Sequence, residues 1–127
     1  MMELTINGQV YQFNFGMGFL REANKVKNPN PKVVDKNYGV RYLISGIIDK
    51  DPESLVDALE LANKGMEPRV TKAVLDSHID DPNTDIDQLL EDTLDFLERA
   101  NATKNLAVKM KEAFAALQSL NKEISDK

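Results

Sequence analysis

The sequence predicts a mainly α-helical fold with a small β part, in one domain spanning residues 1–127. An Asn-Gly pair between two short segments of β-branched and aromatic residues is typical of a β-hairpin. Most of the following chain has apolar residues at helical spacing, interrupted by proline or glycine. The last segment repeats apolar residues at heptad-like steps. We therefore expect an N-terminal β-hairpin followed by about five helices.

The hairpin is expected over residues 3–15. Asn7 and Gly8 suit a two-residue type I′ turn, because both central residues of that turn need a positive φ. A lone hairpin is only marginally stable in water. Its apolar face must therefore lie on helices of the same chain or on a strand of another chain.

Proline, glycine and capping residues divide the remaining chain into helices. Two prolines and three asparagines make residues 28–37 the main predicted loop. Asp51 before Pro52 predicts a capped helix start, and Gly65 predicts a helix end. The predicted helices cover residues 17–27, 38–49, 52–64, 68–79, 85–100 and 103–124.

For three of these helices, the prediction depends on one or two residues. Pro68 predicts the start of the fourth helix, since proline is favoured at the first helical position. Thr84 is expected to cap the fifth helix, with Asp87 at the third position as in a capping box. Gly39 and Gly46 weaken the prediction of the second helix, because glycine is a poor helix former.

The last helix carries an apolar seam whose steps alternate between four and three residues. The seam consists of Leu106, Met110, Ala113, Leu117, Leu120 and Ile124. Such a seam packs against another helix. The preceding helix would cover it in an antiparallel helical pair. Alternatively, the distal part from Leu117 to Ile124 is open for a partner, as chain ends often are until they dock.

The composition excludes several kinds of site. The chain has no cysteine, which removes thiolate zinc sites, iron–sulfur clusters and cysteine nucleophiles. No apolar stretch approaches the ~20 residues that span a bilayer, and the N-terminus lacks the features of a signal peptide. We expect a cytosolic protein with no membrane association.

The net charge of −5 is unevenly distributed. Residues 1–48 carry +3, residues 49–98 carry −11 and residues 99–127 carry +3. The acidic middle would repel phosphate, so no nucleic-acid partner is expected. Either it forms helix N-terminal charges and a solvated helix face, or it attracts a basic partner or a second copy.

No pattern of residues indicates catalysis or metal binding. Residues 81–92 have acidic or amide side chains at alternate positions, as in a calcium loop. However, Ile86 stands where the sharp turn needs glycine, and Asp92 where the ion needs glutamate. His78 is the single imidazole, and no strained turn presents a serine beside it. We expect no catalytic residue, no cofactor, no metal and no enzymatic activity.

The run ELTINGQVYQFNFGMGFLREAN at residues 3–24 resembles the N-terminus of tail assembly chaperones of long-tailed phages that infect Gram-positive bacteria. Residues 39–65 and 68–81 resemble the middle of that family, so the likeness spans most of residues 3–100. His78 stands where the family is expected to have an aromatic residue. No catalytic role attaches to that position.

The resemblance implies a non-enzymatic chaperone that binds the tape measure protein in the host cytoplasm. It keeps this long helical client soluble while tail tube subunits polymerise around it, and it is absent from the mature virion. The resemblance also implies a longer form made by programmed frameshifting, through which the tail tube protein is a further partner. Self-association is expected as well, and the edge of the hairpin is one candidate for it.

Eight apolar residues are candidate partner contacts, because a chaperone for helical segments needs exposed apolar surface. They are Phe15, Met17, Phe19 and Leu20 at the start of the first helix, and Met110, Phe114, Leu117 and Leu120 in the last. Each is equally a candidate for the core. The alternative function is a small acidic helical adaptor or regulator that binds one folded protein partner stoichiometrically.

Overall fold

A computed structural model describes residues 1–28, 32 and 35–125. Two strands and six helices follow one another within these residues. They are β1 (Met2–Ile6), β2 (Gln9–Phe13), α1 (Met17–Val26), α2 (Tyr38–Ile48), α3 (Pro52–Asn63), α4 (Lys72–Asp80), α5 (Ile86–Arg99) and α6 (Lys104–Ser125). The mainly α-helical fold with an N-terminal hairpin is confirmed, and its six helices match the number of predicted ranges, although the overall count was put at about five. Half of the predicted loop at 28–37 lies outside the described residues.

The hairpin has the predicted turn. Strands β1 and β2 pair antiparallel with Ile6 opposite Gln9, and φ is 53° at Asn7 and 79° at Gly8. Both central residues of the turn thus have the positive φ that a type I′ turn needs. The apolar face of the hairpin is buried, and the amide of Asn14 donates to the carbonyl of Ala62 at 2.8 Å. The hairpin therefore lies against the helices of its own chain.

Helix α3 lies at the centre of the core. Nine of its twelve residues are buried, and it contacts β2, α1, α2 and α4. A helix that is buried nearly all round needs neighbours on every side. Asp51 caps this helix by accepting from the amide of Glu53, Pro52 takes the first position, and Gly65 follows the end with φ at 84°. The predicted signals at both ends are confirmed.

The two glycines of α2 are points of close approach between helices. A Cβ on Gly39 would overlap the carbonyl oxygen of Ala23 and lie 2.6 Å from the Cα of Asn24, both in α1. A Cβ on Gly46 would overlap the hydroxyl of Ser54 in α3. The residues that weakened the prediction of α2 are therefore the ones that let it pack against α1 and α3.

The predicted start of α4 and the predicted cap of α5 are wrong. Helix α4 begins at Lys72 and is capped by Thr71, whose hydroxyl accepts from the amide of Val74 at 3.2 Å. Helix α5 is capped by Asp85, not by Thr84. The amide of Thr84 donates to the carbonyl of Asp81, which places Thr84 in the preceding turn. Threonine and aspartate are both good caps, so sequence alone did not choose between neighbours.

The segment before α4 stays non-helical because Asn63 binds it. The Asn63 side chain is fully buried at the end of α3. Its amide nitrogen donates to the carbonyls of Gln12 at 2.9 Å and Pro68 at 3.2 Å. Its oxygen accepts from the amide of Val70 at 2.7 Å and from the Arg69 guanidinium at 2.9 Å. One side chain thus joins β2, α3 and the loop that leads to α4.

Asp57 joins three helices through its charge. Its carboxylate is buried in α3, 2.6 Å from the ammonium of Lys27 after α1 and 3.0 Å from that of Lys72 in α4. The hydrogen bond to Asp57 and its negative charge raise the pKa of Lys72 above the usual value. Because this pKa is raised in the folded state, the contact stabilises the fold below about pH 10.4 and is lost as the pH rises through the raised pKa.

Replacing Asp57 with asparagine is expected to lower the free energy of unfolding by about 1–2 kcal/mol at pH 7. The loss is below that of a fully buried pair, because Lys72 is half-exposed and well solvated. Urea unfolding of Asp57→Asn and wild type measures it, with exposed Asp80→Asn as the control. The difference should shrink once the pH exceeds the raised pKa of Lys72, where that side chain loses its charge. A difference of equal size below and above that pKa would contradict the electrostatic origin.

Candidate functional site

Residues 81–92, whose spacing superficially resembles a calcium loop, use their carboxylates to cap a turn and a helix. The Asp81 carboxylate accepts from the amide of Asn83 at 2.9 Å, and that of Asp85 accepts from the amide of Gln88 at 3.0 Å. Among the described residues, no three histidine, cysteine or acidic side chains group where they would hold a metal ion. In the same part of the chain, no helix combines the length and apolarity needed to cross a membrane. His78 lies half-buried on α4.

The candidate contacts near α1 are mostly inside the protein. Phe15 and Phe19 are only 4% and 3% exposed, and their rings meet edge to face with centroids 5.0 Å apart. Leu20 is half-buried against the same core. Met17 is 48% exposed. Of the two roles open to these residues, the structure gives the phenylalanines the core role and leaves Met17 at the surface.

The candidate contacts in α6 lie where the helix leaves the core. The first part of the helix packs against α5 and α2, with Ala107 buried and Leu106 and Met110 half-buried. Leu117 is 54% exposed and Leu120 is 52% exposed. Every described side chain from residue 115 to residue 124 is exposed. The preceding helix therefore covers the proximal half of the seam, and the distal half is open.

The open half of the seam forms one apolar surface, which we call the α6 stripe. It consists of Ala113, Leu117, Leu120 and Ile124, the last of which is 63% exposed. No charged residue occurs from 113 to 121, so nothing in this part of the helix opposes contact with an apolar partner. Ile124 was missing from the candidate contacts, although the heptad spacing extends to it.

A groove adjoins the proximal end of the α6 stripe. It has a volume of about 540 Å³ and lies between α2, the start of α3 and α6. Met110 and Phe114 line it from α6, and Tyr42 and Ile48 line it from α2. Tyr42 is largely exposed and was not among the candidate contacts. Asp49 and Asp51 also line the groove, so it is more polar than the adjoining α6 stripe.

The acidic side chains between residues 49 and 98 are mainly caps, ion pairs and an exposed helix face. Asp51 and Asp85 cap helices, and Glu60 pairs with Arg69 at 2.9 Å. Glu91, Asp92 and Asp95 lie exposed on α5. These placements agree with the solvated-face interpretation of the acidic middle.

Comparison with protein families matches residues 3–112 to the family described as phage tail assembly chaperone protein, TAC. No curated protein and no solved structure matches the chain. The matched region contains the hairpin, α1 to α5 and the packed start of α6, and it ends just before the α6 stripe. The resemblance seen in the sequence is confirmed over nearly the whole chain. The chain belongs to the phage tail assembly chaperone family.

Proposed function

We propose that this chain binds the tape measure protein and keeps it soluble in the host cytoplasm while tail tube subunits polymerise around it. Its role is non-enzymatic, and it leaves before the virion is mature. The observation that supports this function best is the uncovered α6 stripe, because a client made of long apolar helices needs an apolar surface of this shape. The family supplies the context of tail assembly.

The α6 stripe suits a helical client. Leu117, Leu120 and Ile124 follow one another at three and four residues, which lines them up along one side of α6. An amphipathic helix with the same spacing would pack alongside them as in a coiled coil. Met110 and Phe114 extend the contact into the groove, and methionine adapts its shape to varied partners.

A single copy is expected to bind the client weakly. Burying each of the three large side chains of the α6 stripe contributes about 1.5–3 kcal/mol. Association costs about 4–15 kcal/mol in lost motion, which offsets most of this gain. Many copies along one long client would bind far more tightly through multivalency. Weak individual contacts also let the copies leave as tail tube subunits arrive.

Coexpression with the tape measure protein tests this function. We expect the client to become soluble and to be recovered with many copies of this chain. The Leu117→Asp/Leu120→Asp variant should lose at least about 90% of client recovery, since charges in an apolar contact cost several kcal/mol. Its thermal unfolding should be unchanged, because both residues are exposed.

Gln118→Asp/Ser119→Asp is the matched control. It places the same two charges on exposed α6 residues outside the stripe, and it should retain client recovery. A client that stays insoluble with the wild-type chain would contradict the proposal. A 1:1 complex would favour the adaptor function instead.

We also propose a longer, frameshifted form that contacts the tail tube protein. The nucleotide sequence tests it directly. A slippery heptamer near the codons for residues 115–127, followed by an overlapping reading frame, would support the longer form. A gene without either feature would contradict it.

A further inference from the structure

We propose that the groove between α2, the start of α3 and α6 binds an arginine side chain carried by an amphipathic helix of the client. This binding rests on the proposed function, which supplies the helical client, and it adds the charge that the client carries. Two features of the groove support it. One end is acidic without a cation to balance it, and the walls are apolar and aromatic.

The acidic end of the groove lies where α2 meets α3. Asp49 and Asp51 line it, and no lysine, arginine or histidine is among the described residues that line the groove. Both oxygens of Asp51 accept hydrogen bonds within the junction, one from the amide of Glu53 at 3.3 Å and one from the hydroxyl of Ser54 at 2.8 Å. Asp49 is exposed, and no cation in the described part of the chain pairs with its carboxylate.

The end of α2 adds negative charge beside Asp49. Helix α2 ends at Ile48, Asp49 is its C-cap, and its last turn has no basic residue. The carbonyl groups at a helix C-terminus carry a partial negative charge of about half an electron, which a nearby cation stabilises. Lys50 follows directly, but its ammonium pairs with Asp87 at 3.6 Å. The groove therefore attracts a cation that the described part of the chain does not supply.

The walls of the groove suit the rest of an arginine side chain. Met110 and Ile48 provide apolar surface for the methylene stem, and Tyr42 and Phe114 provide aromatic rings for the guanidinium. Arginine suits this site better than lysine, because its planar guanidinium stacks on rings and forms paired hydrogen bonds with a carboxylate. The volume of about 540 Å³ is within the usual range for a binding site, so a whole side chain fits.

Tyr42 extends this surface towards α1, which favours a longer partner over free arginine. Tyr42 also lines a hollow of about 250 Å³ together with Val26 and Tyr38. Val26 is 55% exposed and Tyr42 is 52% exposed. Lys27 lines the hollow too, but its ammonium pairs with Asp57. A helix that places an arginine in the groove would cover Tyr42 as well, and tyrosine is enriched where proteins bind one another.

Peptide binding tests the preference for arginine. The probe is a synthetic amphipathic helix of about three heptads with leucine at the apolar positions, one central arginine and a fluorescent label. The comparison peptide has citrulline instead, which keeps the size of the side chain and removes its charge. Fluorescence anisotropy with the full chain should show about tenfold tighter binding of the arginine peptide at low salt. This gain should shrink at about 1 M salt, where screening is strong. Equal affinities at low salt would overturn the proposal.

Substitutions in the groove test which side chains bind the arginine. Asp49→Asn should weaken binding of the arginine peptide about fivefold and leave binding of the citrulline peptide unchanged. Asp80→Asn makes the same change at an exposed position of α4 and should bind like wild type. Tyr42→Ala should also weaken binding, whereas Tyr42→Phe keeps the ring and should retain it. All four substituted residues are exposed, so thermal unfolding should not change. An Asp49→Asn variant that binds the arginine peptide as tightly as Asp80→Asn does would overturn the proposal.

Methyl NMR locates the bound peptide. Met110 lines the groove, whereas Met17 is exposed on α1 and does not line it. The arginine peptide should shift the methyl resonance of Met110 and leave that of Met17 in place. A shift of Met17 without Met110 would place the contact elsewhere and overturn the proposal.

The coexpression test of the proposed function gives a separate answer. A client that becomes soluble, combined with equal affinities for the two peptides, would overturn the arginine site and leave the chaperone function standing. A client that stays insoluble, combined with tighter binding of the arginine peptide in the groove, would contradict the chaperone function and support the arginine site.

Discussion

Replacing Asn63 with alanine is expected to lower the free energy of unfolding by about 3–5 kcal/mol. The substitution removes four hydrogen bonds at a fully buried position. The amide of Val70 and the carbonyl of Gln12 would lose their partners, and an unsatisfied buried polar group costs about 1–3 kcal/mol. A small cavity in place of the amide group adds to the loss.

Urea unfolding followed by circular dichroism measures this effect, with Asn105→Ala as the control. Asn105 is exposed on α6, so its replacement should change stability by less than about 0.5 kcal/mol. Asn63→Asp tests the hydrogen bonds that Asn63 donates separately from those that it accepts. A carboxylate can accept from the amide of Val70 but cannot donate to the carbonyl of Gln12. The Asn63→Asp variant should also be clearly destabilised. An Asn63→Ala variant as stable as Asn105→Ala would show that other contacts hold the loop before α4.

Replacing Gly39 with alanine is expected to destabilise the fold by about 2 kcal/mol, although alanine is the better helix former. The added methyl group would meet backbone atoms of Ala23 and Asn24, which cannot rotate away as a side chain can. Helices α1 and α2 would have to separate, and overpacking of this kind costs about 1–3 kcal/mol or more. The gain in helix propensity, about 1 kcal/mol, offsets only part of this.

Gly18→Ala provides the matched comparison. Gly18 lies in α1, and a Cβ there would have no atom within 4 Å. The same substitution should therefore stabilise the protein by about 0.5–1 kcal/mol. Thermal unfolding of the two variants should shift in opposite directions. A shift in the same direction for both would contradict the close packing of α2 against α1.

The elements that sequence predicted well are those fixed by neighbouring residues. Asn7 and Gly8 determine a turn between adjacent strands, and Asp51 caps the helix that begins at the next residue. The start of α4 was missed because the buried side chain of Asn63, five residues before Pro68 and seven before Val70, holds the preceding loop. Pro68 satisfied a rule for helix starts, but that rule takes no account of the hydrogen bonds from the Asn63 side chain to Pro68 and Val70.

The candidate site was only partly predictable for a similar reason. The sequence made Phe19 a candidate partner contact and equally a candidate for the core, but it could not show whether the core or a partner covers this side chain. For α6, comparing its length with that of α5 shows more directly which part is left uncovered. Helix α5 has 14 residues and α6 has 22, so at 1.5 Å per residue α5 is about 12 Å too short to cover α6. The predicted ranges, 85–100 and 103–124, already made the last helix clearly longer than the one before it.

The division of α6 has a consequence for how such a chain changes over generations. Residues 115–124 contact no other part of the described protein closely enough to be buried, so substitutions there should leave folding almost untouched. The packed body does not have this freedom, because its buried side chains constrain one another. Under the proposed function, a phage whose tape measure protein acquires new helical segments could therefore adapt this chain by altering a few residues at the end of one helix.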